Sequence, residues 1–162
     1  MYHKTVEVIT SILKQNNKWF ETFEHKEVRT SEEAAKTRPG YDINQGSKAL
    51  ILKYKSQSRY NYVMFVMQGG DKLDSKKAKK LVKSSSLTFA TPEEVSLLTG
   101  GVQVGGVPPF GNIFGLKVYA DPKLFNNEKI VFNAGDRCFS VAMYSKDYRD
   151  LVCPEVVPLV ME

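Results

Sequence analysis

The chain has 162 residues, a formal net charge of +5 and a sequence pI near 9.1. With 42% hydrophobic and 25% charged residues its proportions are globular, which excludes wholesale disorder, and no apolar run is long enough to span a membrane. The two cysteines, Cys138 and Cys153, lack metal-ligand spacing and are too few for a disulfide framework. A reducing, cytoplasmic setting is therefore expected, with no metal and no cofactor. The opening MYHKTVEVITSILKQ has no small-residue cleavage site and does not read as a secretory signal. The moderate excess of Lys and Arg suits a protein that meets phosphates without requiring one.

Val6, Ile9 and Leu13, with Val8 and Ile12 beside them, recur at helical spacing and predict an amphipathic helix over about residues 2–15, ended by Asn16-Asn17. Trp19, Thr22 and Phe23 mark a short strand. Thr30 followed by Glu33 is a capping-box pattern, opening a short helix that Pro39-Gly40 stops. Lys48–Tyr54 and Tyr60–Met67 are rich in β-formers and flank polar Ser56-Gln57-Ser58-Arg59, which predicts a hairpin. The second run is apolar on both faces, as a central strand would be. Asp74–Lys83 reads as a lysine-rich helix capped by Asp74 or Ser75, and Leu87–Ala90 as a short strand. Thr91-Pro92-Glu93-Glu94 is a helix start. The stretch 100–111 is rich in glycine and proline but too apolar for a solvated linker. Strands follow at Leu116–Tyr119, Lys129–Phe132 and Arg137–Met143, then a helix at Ser145–Leu151. Mixed elements without regular βαβ alternation predict one α+β domain on a mixed sheet.

Three features carry chemistry. In KALILKYK, alternation places Lys48 with Leu50, Leu52 and Tyr54, and the opposite face, ending in Lys53 and Lys55, reads as the wetter one. Lys48 then either snorkels to solvent from a strand end or opens its ammonium into a pocket. In the glycine stretch, close backbone approach and free N–H groups could hold an oxyanion, although a buried structural turn fits as well. It is neither a Walker A loop nor a dinucleotide fingerprint. Finally, Cys138, Ser140 and Ala142 share a face of small residues, which suits either a ligand lining or close packing under a helix. His3 and His25 mark no catalytic arrangement, and the lysines at 76, 77, 79, 80 and 83 fit a solvated face or a phosphate track.

Taken in order, EHKEVRTSEEAA (24–35), GSKALILK (46–53), LDSKKAKKLV (73–82), TPEEVSLLTG (91–100), VGGVPPFG (104–111) and NAGDRCFSVAMYSKDYRDL (133–151) resemble the YbaK/prolyl-tRNA synthetase-associated editing domain family. The resemblance covers about residues 20–151. It implies a largely antiparallel, partly barrel-like sheet with surrounding helices, in one domain over residues 1–162 with an N-terminal helix (1–17) and a C-terminal tail (152–162). It also implies an aminoacyl-tRNA deacylase that hydrolyses the ester of a mischarged tRNA, tRNA-Pro carrying Ala, Cys or Ser. The implied partners are the tRNA acceptor end and a prolyl-tRNA synthetase, with no DNA and no membrane. The family's pocket lysine falls on Lys48, and its Gly-X-X-X-Pro loop on Gly105 through Pro109. Its threonine before the Ser-Glu-Glu helix falls on Thr30, and its turn after a small polar residue on Asn133, Ala134 and Gly135. Many relatives have Asp or His where this chain has Ser140. On this reading Lys48 and the N–H groups of Gly105 and Gly106 hold the reacting carbonyl, while Thr30, Pro109, Asn133, Gly135 and Ser140 shape the substrate site. Two alternatives are a tRNA- or synthetase-binding module that has lost catalysis, and an editing domain that acts within a larger synthetase, with the apolar tail 153–160 docked on a partner.

Overall fold

The computed structural model describes residues 1–162. Helical spacing is realised in α1 (Lys4–Gln15), which buries Val6, Ile9 and Leu13 on one face. After β1 (Phe20–Glu24) comes α2 (Ser31–Lys36), where Thr30 Oγ1 accepts from Glu33 N–H at 3.1 Å. The expected reciprocal bond is absent, because the Glu33 carboxylate accepts from Arg29 N–H at 3.1 Å instead. Strands β2 (Ser47–Ser56) and β3 (Arg59–Gln68) pair antiparallel along their full length. Their turn residues Gln57 and Ser58 both have positive φ, 51° and 63°, the backbone twist that matches a two-residue hairpin.

Asp74 caps α3 (Ser75–Val82), and a short β4 (Leu87–Phe89) leads into α4 (Pro92–Thr99), whose capping box between Thr91 and Glu94 is complete. The glycine stretch then crosses to β5 (Lys117–Ala120), β6 (Lys129–Asp136), β7 (Phe139–Tyr144), α5 (Ser145–Val152) and β8 (Glu155–Val156). The α+β class holds. The strands form two sheets, of order β1-β7-β6 and β4-β2-β3-β5-β8, the second mixed because β5 runs parallel to both β3 and β8. A single parallel bridge, Gly46 to Val131, joins them, so the barrel-like closure implied by the resemblance is not formed.

Both faces of the five-stranded sheet are covered. Ile51, Met64 and Val66 pack into a core of 21 buried residues with Phe132, Val141 and Met143 of the other sheet. On the opposite face Leu52, Val63, Phe65 and Met67 pack with α3 and with Leu159 and Val160 of the tail. The reading of the Ile51 face as the wetter one is therefore corrected: only its far end, at Lys53 and Lys55, reaches solvent, because α4 and the second sheet cover the rest. The tail packs on its own chain. Asp121 Oδ2 accepts from Leu159 N–H at 2.7 Å and Val160 N–H at 3.3 Å, and β8 extends the sheet.

Candidate functional site

Where the two sheets meet at Gly46, the α2 segment, the start of β2 and the glycine loop enclose a cavity of about 210 Å³. Lys48, Gly105, Thr30 and Asn133 all line it. Its charged lining is three cations, Arg29, Arg38 and Lys48, against one carboxylate, Asp42.

Lys48 stands one residue into β2, and its half-buried ammonium donates to the carbonyls of Gly69, at 3.2 Å, and Asp71, in the turn leaving β3. Burial lowers its pKa from the ordinary 10.5, against the raising influence of Asp71 and Glu32. Thr30 serves as the helix cap and also faces the cavity.

The glycine loop is pinned from two sides. Asn133 Nδ2 donates to Gly105 O at 2.8 Å, and Arg137 Nε donates to Val104 O at 2.7 Å. Gly105 has φ +92°, in the left-handed region, and its N–H makes no hydrogen bond within the protein. Gly106 differs: it is buried, lies outside the cavity lining, and spends its N–H on Gln103 O at 2.9 Å. The expectation that both glycines offer free N–H groups is corrected, because the turn that exposes Gly105 consumes the donor of Gly106.

Three other expected residues lie behind the cavity. Pro109 is buried, and its carbonyl accepts from Tyr148 Oη at 2.6 Å. Gly135 has φ +112° and packs under α1, where a Cβ would fall 2.5 Å from Thr5 Cβ, and its N–H donates to Gly106 O at 2.8 Å. Ser140 is fully buried. The small-residue face of β7 does not line the cavity; the guanidinium of Arg38 stands in front of Ser140 instead.

Sequence reading passed over two residues here. Arg38, 5% exposed, donates from Nε to Ser140 Oγ and from Nη2 to Asn133 Oδ1, each at 3.0 Å. Burial pulls its pKa down to about 10, which leaves it charged at neutral pH. His25 places Nε2 at 2.8 Å from Ser140 Oγ and Nδ1 at 2.8 Å from Lys26 O. A carbonyl only accepts, so Nδ1 carries the proton that faces Lys26 O, while the Ser140 hydroxyl has one proton for two acceptors, His25 Nε2 and Asn133 Oδ1 at 3.0 Å. The one signal for Arg38 was its place two residues past the end of α2, four after the buried Ala34.

Fold and site together define a class: an α+β protein with two open sheets and a small cationic cavity at their junction, lined by Lys48 and by Gly105, whose main-chain N–H is unpaired. The aminoacyl-tRNA editing domain family matches residues 25–151. The Escherichia coli K12 protein named multifunctional Ser/Thr-tRNA deacylase ProXp-y is 32% identical over 150 residues, 92% of this chain and 89% of that one. A proline–tRNA ligase of Fervidobacterium nodosum is 28% identical over 134 residues, 83% of this chain but 22% of the ligase. A solved structure, described as a candidate trans-editing enzyme for prolyl-tRNA synthetase, superposes with a TM-score of 0.84 at 26% identity over 100% of both chains. The chain belongs to the aminoacyl-tRNA editing domain family, and with it to the aminoacyl-tRNA hydrolases. No helix is long and apolar enough to cross a membrane.

Proposed function

We propose that the protein hydrolyses the ester of a mischarged tRNA carrying a small amino acid, with serine favoured over alanine and cysteine and tRNA-Pro as the first tRNA to test. The observation that carries this reading is that Lys48 and Gly105, the latter with an unpaired N–H, line one cavity of about 210 Å³, room for a small acyl group. Water attacks the acyl carbon, the carbonyl electrons move onto oxygen, and the ribose oxygen leaves with a proton as the amino acid is released. The Gly105 N–H stabilises the developing oxyanion, a donor typically worth about 3 kcal/mol. Lys48, held by two carbonyls, positions the carbonyl or the terminal phosphoribose for attack. An activated ester needs no side-chain nucleophile, and Ser140 is sealed from the cavity.

Size excludes larger acyl groups, and a polar lining favours serine, in keeping with the Ser/Thr-tRNA deacylase named among the relatives. The similarity to a proline–tRNA ligase supports tRNA-Pro as the carrier. Single-turnover deacylation of tRNA-Pro charged with Ser, Ala, Cys or Pro tests this. Serine release well above the buffer rate, with prolyl-tRNA spared, is expected; no release from any mischarged tRNA would overturn it.

A further inference from the structure

The Arg38 guanidinium is buried without a carboxylate partner. None of the ion pairs in the protein includes it, and its two hydrogen bonds go to the neutral oxygens of Ser140 and Asn133. Those bonds engage Nε and Nη2, leaving Nη1 with no partner at all. A buried cation is normally paired, and Arg38 is not; its Nη1, which is not among the sealed atoms that lack a partner, opens onto accessible space. Nη1 stands 3.5 Å from the position that a Cβ on Gly46 would occupy, a position also 3.2 Å from Ile43 O, so the absence of a side chain at Gly46 keeps the guanidinium uncrowded. Next along the chain, Ser47 Oγ is buried and also has no hydrogen-bond partner. Gly46, Ser47 and Arg38 line the same cavity.

The wall of the cavity therefore holds an unpartnered guanidinium N–H, on Arg38 Nη1, and, sealed at Ser47, an unpartnered hydroxyl. The chemical group that satisfies both is an oxygen that can accept from a guanidinium and also exchange a hydrogen bond with a hydroxyl. We propose that Arg38, with Ser47, is the specificity-determining pair that reads a hydroxyl on the side chain of the esterified amino acid. This rests on the deacylase reading above and adds the residues that choose among its substrates. An acidic side chain would also meet the guanidinium in this cationic lining, so aspartyl-tRNA enters the test as the competitor. An acyl group without a polar tip would leave Nη1 and Ser47 Oγ dry and unpaired, the situation in which a site built for a hydroxyl rejects its deoxy analogue. The bonds to Ser140 and Asn133 hold the guanidinium plane in place before substrate enters.

The test compares single-turnover deacylation of seryl-, alanyl- and aspartyl-tRNA by the wild-type protein and by R38M, S47A and G46A, each checked by circular dichroism and thermal melting. R38M should slow seryl-tRNA hydrolysis by about 10–100-fold while alanyl-tRNA changes by less than about threefold. S47A should act in the same direction with a smaller ratio. G46A places a methyl 3.5 Å from Nη1 and 3.2 Å from Ile43 O; where melting shows it folded, it should also cost seryl-tRNA more than alanyl-tRNA, without removing either polar group. If R38M fails to fold, the S47A and G46A ratios still decide. A parallel loss on all esters would overturn the proposal and place Arg38 at the shared carbonyl. So would a wild-type protein that prefers alanyl- or aspartyl-tRNA. A wild-type protein inactive on every ester would overturn the deacylase reading itself, an outcome distinct from either.

Discussion

Lys48 and Arg38 carry the same charge into the same cavity, and the protein holds them in opposite ways. The Lys48 ammonium is anchored by main-chain carbonyls of the turn after β3, half-buried and close to the carboxylates of Asp71 and Glu32. Arg38 is anchored by side chains from β6 and β7, is nearly sealed, and has no carboxylate partner. An ammonium is a compact point charge that carbonyls can tether anywhere, whereas a guanidinium is a planar fork whose direction matters. The comparison teaches a division of labour. The tethered point charge suits the part common to all substrates, the ester and ribose, and the oriented fork suits the part that differs among them.

The largest effect expected from breaking this comparison is at Lys48. K48A should lower kcat/KM about 100-fold on every susceptible ester alike, with a melting temperature close to wild type, since removing one preorganised donor commonly costs that much. An unequal loss among esters would erase the division. Next is a control remote from both cations. Asp121, 2% exposed, accepts from the N–H groups of Lys123, Leu159 and Val160, so D121A should cost about 2–3 kcal/mol in urea unfolding while the folded protein keeps its ester preference. R38K keeps the charge but cannot reach Ser140 and Asn133 as a fork, and should lower the seryl-to-alanyl ratio about tenfold with little change on alanyl-tRNA. The smallest effect is in pH. Because burial disfavours the charged form of Lys48, its proton leaves at a lower pH than from a free lysine. Activity that needs the ammonium should therefore fall, as pH rises, at a value below the ordinary 10.5, after subtraction of spontaneous ester hydrolysis. K48R should move that limb upward.

Much of the scaffold was legible because its signals are local. The α1 stripe, the β2–β3 hairpin, the Asp74 cap and the Thr91–Glu94 capping box each depend on residues within a few positions of one another. The face of β2 was harder. Alternation separates Lys48 and Leu52 from Ala49 and Ile51, but it does not tell which side is covered, and here both are. Gly105 and Gly106 are alike in sequence, and only the turn bond from Gly106 N–H to Gln103 O separates a free donor from a spent one. The tail could be read as a docking segment until Asp121, 38 residues upstream of Leu159, is seen to hold it.

By itself the sequence determined most of the elements, several of their caps, the order of motifs and the family, because each is written in short-range spacing or in an ordered set of short strings. The cavity was decided by the tertiary structure alone. Arg38 meets Ser140 across a separation of 102 positions and Asn133 across 95, and Gly46, where a Cβ would fall 3.5 Å from its Nη1, lies at the bridge between the two sheets. Contacts of that range leave no periodicity to read. They follow from how two separately patterned sheets are brought together, and that depends on burial summed over the whole core rather than on any one segment.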